Sequence, residues 1–255
     1  MRIDLVFTPG QVDELSLRER TAVVIDVLRA TTTLVTALGE GAREIIPAAT
    51  VEAAMKISGS IGTDAALLAG ERHGRIVPGF DLGNSPSEYR GGRVQGKSVI
   101  FTSTNGSQAL ARARYAHELT LCAFVNLSTV AEFLLERPRD VSVICAGNEG
   151  GFSLEDSVCA GMLVARLRER CGGEVQLSDS ALAASALYRS FGRGLLSMLR
   201  TSEHGRHLQE IGFGEDLKEC AAVDAVPVLP LLDGGVLRKR RTDARSEAAL
   251  GPAHG

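Results

Sequence analysis

The chain has 255 residues, 44% of them hydrophobic and 23% charged, and its 28 basic and 31 acidic side chains leave a formal net charge of −3. That length and hydrophobicity support a sizeable core, which excludes disordered, collagen-like and disulfide-scaffold classes. The near-neutral charge argues against a nucleic-acid partner, and no run approaches the ~20 apolar residues that cross a membrane.

The elements alternate in type along the chain. Strands are predicted at 2–8 and 21–26 (TAVVID), a helix at 33–38, a strand at 44–47 and a helix at 51–57. Strands at 66–69 and 97–102 (KSVIFT) follow, then a helix at 108–116, a strand at 118–123 and a helix at 127–136. A strand at 140–145 (DVSVIC) leads into a long helix at 155–170, and helices at 178–191 and 193–200 come next. Strands at 226–232 and 235–238 close the pattern. Short β-branched runs alternating with helices indicate an α/β fold, its helices covering a mostly parallel or mixed sheet. One domain is expected over 1–241, and 242–255 reads as a disordered tail. The five cysteines are scattered and form no C-x-x-C pair, so they read as small buried hydrophobes in a reducing compartment. Residues 1–10 lack the apolar stretch of a signal peptide. A cytoplasmic protein that forms a homo-oligomer is expected.

Three strand ends look alike. TAVVID runs into Val27-Leu28-Arg29-Ala30-Thr31-Thr32-Thr33, KSVIFT into Ser103-Thr104-Asn105-Gly106-Ser107, and DVSVIC into Ala146-Gly147-Asn148-Glu149-Gly150-Gly151. A helix follows each loop. Ligands of open α/β sheets bind beyond the carboxyl ends of the strands, and helix starts attract anions. Capping is the competing explanation, because Ser153-x-x-Asp156, Asn105-x-x-Gln108 and Ser85-x-x-Glu88 all fit a capping box or a relative of it. Capping does not account for Arg29, whose long cation suits an anion. Asp26 ends an apolar strand, where a carboxylate needs a metal or hydrogen bonds. Glu155 and Asp156 share a first helical turn, and such hard oxygens favour Mg²⁺ over zinc. The five histidines form no zinc pattern, and His204-x-x-His207 is a weak signal.

Several reaction classes are absent from the sequence. It has no phosphate-binding P-loop, no dinucleotide fingerprint and no G-x-S-x-G elbow. Gly151 stands where a C-x₅-R phosphatase loop starting at Cys145 needs arginine, and Leu28 where an aspartyl-phosphate motif needs a second acid.

Seven further stretches stand out: DVLRATTT at 26–33, GERHG at 70–74, GFDLGNSPSEY at 79–89, FTSTNGS at 101–107, CAG at 145–147, GFSLED at 151–156 and 212–224. In these segments the sequence resembles the 2-phosphosulfolactate phosphatase (ComB) family. The resemblance implies a three-layer α/β/α fold and a Mg²⁺-dependent phosphatase acting on 2-phospho-3-sulfolactate in coenzyme M biosynthesis or a related pathway. On this reading Asp26, with Glu155 or Asp156, holds the metal. Arg29, Thr31, Thr32, Thr33, Ser103, Thr104, Asn105, Gly106 and Gly147 hold the phosphate. A second anionic group, sulfonate or carboxylate, sits near Arg72 or the Asn84-Ser85 turn, and Asp81 or Glu71 orients water. The expected partner is a small phosphorylated (sulfo)carboxylate. The alternative is a non-enzymatic protein that binds small anions on the same scaffold.

Overall fold

The computed structural model describes residues 1–61, 65–137, 139–172 and 174–240. The tail expected at 242–255 lies outside them. In chain order the elements are β1 (Arg2–Val6), β2 (Thr21–Ile25), α1 (Ala30–Gly39), β3 (Glu44–Pro47), α2 (Val51–Ile61), β4 (Ala66–Arg72), β5 (Arg75–Ile76) and β6 (Ser98–Thr102). They continue with α3 (Gly106–Ala113), β7 (Glu118–Cys122), α4 (Leu127–Leu135), β8 (Val141–Cys145), α5 (Leu154–Arg170), β9 (Gln176–Leu177) and α6 (Asp179–Phe191). The last are α7 (Leu195–Thr201), α8 (Glu203–Glu210), α9 (Asp216–Cys220), β10 (Pro230–Asp233) and β11 (Val236–Lys239).

One mixed sheet runs β5-β4-β6-β3-β11-β10-β7-β2-β8-β1-β9. It contains two parallel blocks, β4-β6-β3 and β7-β2-β8-β1-β9, joined by the antiparallel β10–β11 pair. The junctions of β3 with β11, β11 with β10 and β10 with β7 are all antiparallel, so the blocks point in opposite directions along the sheet. In a flat sheet their carboxyl ends would lie on opposite edges. Twist of about 20–25° per neighbour accumulates to roughly 100–125° over the five steps from β6 to β2. Both sets of carboxyl ends nevertheless reach one place, since Asp26 after β2, Glu71 of β4 and Thr104 after β6 line one cavity.

The core packs on both faces of the sheet. Alternate residues of β2, β6 and β8 (Val24, Phe101, Ile144) meet α1 and α3 in one cluster, so these two helices cover one face. The opposite residues of β2 and β8 (Ile25, Val143) pack against α4, α5 and α6. Ala54 of α2 covers Ile100 on the outer side of the β4-β6-β3 arm. Helices on both faces of a mixed sheet give the expected three-layer architecture. No helix among the described residues is long and apolar enough to cross a membrane.

Some boundaries differ from expectation for local reasons. Helix α1 starts at Ala30, because Asp26 Oδ1 accepts the Ala30 N–H at 3.2 Å and the Asp26 carbonyl accepts the Thr31 N–H at 2.9 Å. The threonine run is therefore a first helical turn and not a loop. The strand expected at 226–232 forms only over Pro230–Asp233; Pro227 has no N–H to give a ladder. Helices α8 and α9 were not anticipated.

Candidate functional site

Asp26 leaves β2 directly beneath the start of α3. A Cβ at Gly106 would lie 2.9 Å from Asp26 Oδ2 and 2.7 Å from the Ala30 Cβ, so only glycine permits this approach. The β8–α5 loop joins from the other side, where Asn105 Oδ1 accepts the Glu149 N–H at 3.1 Å. Between these strand ends lies a cavity of about 240 Å³, lined by Asp26, Arg29, Glu71, Asn84, Thr104 and His204 among others.

Its charges are fixed by hydrogen bonds. Glu71 accepts the Thr104 N–H at 2.7 Å on Oε1 and the Gly74 N–H at 2.8 Å on Oε2. The Gly74 carbonyl accepts from Arg29 Nη2 at 2.6 Å, so one hairpin tip fixes both the acid and the base. Arg29 also donates to Asp216 Oδ2 at 2.7 Å, and its guanidinium carbon lies 4.2 Å from the centre of the Phe213 ring. Two of its five N–H donors are thus committed, and the side chain still lines the cavity. Burial, reinforced by Glu71 and Glu155, pushes the Asp26 carboxyl up to about 7 despite the Ala30 N–H and Arg29.

A second wall comes from α8. Glu203, His204 and His207 line the cavity, with His73 and Glu149 also at its border. His204 Nδ1 stands 3.7 Å from Glu155 Oε1, and burial, with Arg29 nearby, lowers its pKa to about 4. The neutral imidazole is therefore the resting form near neutral pH. The only sequence signal for this wall was the His204-x-x-His207 spacing.

The family profile described as 2-phosphosulpholactate phosphatase matches residues 6–235. The chain belongs to the 2-phosphosulfolactate phosphatase family. A relative from Caldanaerobacter subterraneus is 38% identical over 231 residues, 91% of this chain and 95% of its own. One from Thermotoga petrophila is 40% identical over 234 residues, 92% and 96% of the two chains. A third, from Gloeothece citriformis, is 41% identical over 220 residues, 86% and 91%. Each carries the name probable 2-phosphosulfolactate phosphatase.

In this member of the family, six of the expected site residues, Asp26, Arg29, Glu71, Asn84, Thr104 and Asn105, line the cavity. The other expected residues are occupied elsewhere. The hydroxyls of Thr31, Thr32 and Thr33 donate to the carbonyls of Asp26, Val27 and Asn84. Ser103 and Ser107 cap each other, each hydroxyl accepting the other's N–H. Ser85 donates to Asp216 at 2.7 Å, and Arg72 to the Glu71 carbonyl and Thr102. Gly106 and Gly147 act through their backbone; the Gly147 N–H donates to Asp156.

Three acids need correction. Asp81 is exposed and its Oδ2 accepts the Leu68 N–H at 2.8 Å, so it is a turn aspartate away from the cavity. Asp156 does not line the cavity; its oxygens accept the Val27 N–H at 2.8 Å and the Gly147 N–H at 3.1 Å, which clamps the two strand-end loops together. Glu155 lies behind His204 and does not line the cavity. Among the capping boxes, Ser153 does cap α5 through the Asp156 N–H, whereas Asn105 and Ser85 make no such cap.

Proposed function

We propose that this chain hydrolyses the phosphate ester of a 2-hydroxy acid, 2-phospho-3-sulfolactate, giving 3-sulfolactate and orthophosphate with Mg²⁺ as cofactor. The carrying observation is the cavity's charge. Asp26, Glu71, Glu149 and Glu203 face a single guanidinium, Arg29. A ligand bearing phosphate, sulfonate and carboxylate enters such an acidic space only together with a cation. The volume of about 240 Å³ lies below the range of drug-sized pockets and suits a three-carbon acid. The family resemblance supplies the substrate and implies coenzyme M biosynthesis or a related pathway as its setting.

The donor chemistry fits Mg²⁺. Asp26 is a hard oxygen ligand whose buried charge lacks full compensation, as its raised pKa reflects. No three His, Cys, Asp or Glu side chains converge as a cage among the described residues. Mg²⁺ needs no cage, since it binds through one or two carboxylates plus water and phosphate oxygens. Asp26 would hold it, and bound Mg²⁺ would offset the charge of the phosphate.

The protein's own groups do the rest. Arg29, locked by Asp216, Gly74 and Phe213, turns its remaining donors to the ligand's oxygens. Glu71, held by two backbone N–H groups, orients the attacking water. Water adds to phosphorus, the ester P–O bond breaks, and the hydroxy acid leaves and takes up a proton. The test is orthophosphate release from 2-phosphosulfolactate by the purified protein with MgCl₂ or with EDTA. Release that needs the metal supports the reading; tight binding without turnover at any divalent metal would leave the anion-binding alternative in its place.

A further inference from the structure

Three buried side-chain oxygens among the described residues lack a hydrogen-bond partner: Thr21 Oγ1, Asn84 Oδ1 and Thr104 Oγ1. Thr21 sits at the start of β2, but Asn84 and Thr104 both line the cavity. Asn84 is 95% buried, being 5% exposed. Folded proteins rarely leave such groups unpaired, because burial removes their water without replacing it. Thr33 takes the Asn84 backbone carbonyl and leaves its amide alone, and Glu71 takes the Thr104 N–H and leaves its hydroxyl alone.

We infer that Asn84 and Thr104 form the subsite for the ligand's non-reacting acid group, and that the ligand completes their hydrogen bonding. The inference rests on the functional reading above and narrows it. An amide exchanges its N–H₂ and carbonyl ends by a half-turn, and a hydroxyl rotates freely, so both can donate to a sulfonate or carboxylate oxygen. Both are neutral, so they add direction without altering the charge on which the cation site depends. Arg72 and Ser85, the other residues expected near this anion, are bonded to Thr102 and Asp216 and do not line the cavity.

The subsite makes two opposite demands on one substitution, which separates it from a structural role. Thr104→Val keeps the side chain's shape and removes only the hydroxyl. Asn84→Leu replaces the amide with a carbon group of similar size. In the ligand-free protein each variant is expected to raise the melting temperature by at least about 2 °C. With MgCl₂ present, 3-sulfolactate binding should weaken at least tenfold in each variant, while orthophosphate binding changes less than threefold. A melting temperature that falls in both variants, or 3-sulfolactate binding that survives in both, overturns the subsite. A wild-type protein that binds and turns over no sulfolactate compound overturns the functional reading and the subsite together. Wild-type turnover with unchanged variants overturns the subsite alone.

Discussion

Asp216 holds Arg29 across 187 positions of sequence, its Oδ2 lying 2.7 Å from Arg29 Nη1 with both side chains almost fully buried. The carboxylate's other oxygen accepts from Ser85, so the pair is held on both sides. Removing one partner of a buried pair leaves an uncompensated charge. Asp216→Ala is expected to cost about 3–5 kcal/mol of stability, measured by urea unfolding. Arg29→Lys keeps the charge but cannot reach Asp216, Gly74 and the ligand together, nor stack on Phe213. Its kcat/KM for 2-phosphosulfolactate should drop at least tenfold, with some loss of stability from the buried contacts that lysine cannot keep; unaltered kinetics would remove Arg29 from ligand binding.

The raised Asp26 pKa makes stability depend on pH in a defined direction. The carboxyl titrates at about 7 in the folded protein and near ~3.9 when unfolded. Between those values the folded state keeps a proton that the unfolded chain has lost. Stability therefore falls as pH rises from about 4 to about 7 and levels off above, by a contribution on the order of 4 kcal/mol. Glu155 and Asp156, also raised by burial, act in the same direction. Asp26→Asn removes the Asp26 share and also the part of the Asp156 shift that Asp26 causes. Urea unfolding of both proteins at pH 5 and pH 8, without divalent metal, should show the smaller pH dependence in the variant; equal slopes would contradict the pKa.

Mg²⁺ should relieve the same penalty by another route. At pH 8 the addition of MgCl₂ is expected to raise the wild-type melting temperature and leave Asp26→Asn unmoved. Chelation with EDTA should reduce turnover at least about 100-fold, and restored Mg²⁺ should recover it. A variant that responds to Mg²⁺ as the wild type does would place the metal away from Asp26.

The closeness of α3 to Asp26 offers a steric test. Gly106→Ala puts a methyl group within 3 Å of both Asp26 Oδ2 and the Ala30 Cβ, where they stand at 2.9 and 2.7 Å. Overpacking of this kind costs about 1–3 kcal/mol. The shift needed to relieve it separates Asn105 from Glu149 and widens the cavity, so kcat should drop at least tenfold while the far-UV spectrum stays unchanged. Wild-type kcat would show that the approach has no role.

The features visible in the sequence were those set by neighbours along the chain. The β-branched runs of β2, β6 and β8 and the turn after each are local, and they led to Asp26, Arg29, Thr104 and Asn105. The hydroxyls of Thr31, Thr32 and Thr33 misled for the same reason: a helical first turn and an anion loop share their composition, and only backbone geometry separates them. Asp156 and Glu155 were indistinguishable until β2 and β8 lay side by side. His204, His207 and Asp216 come from helices that touch the site only after long-range packing, so no spacing near Asp26 announces them.

The β10–β11 pair has a consequence for how the molecule is made. These two strands are the last in sequence among the described residues, yet they lie at the centre of the sheet and join its two parallel blocks. During synthesis each block can assemble from chain already produced, but the backbone hydrogen bonds that join them through the sheet wait until residues 230–239 have emerged. The growing polypeptide therefore carries two unfinished sheet edges for most of its production, a state open to misassociation. Because Asp26 follows β2 in one block, Glu71 belongs to β4 in the other and α8 adds His204, the cavity is complete only late in synthesis.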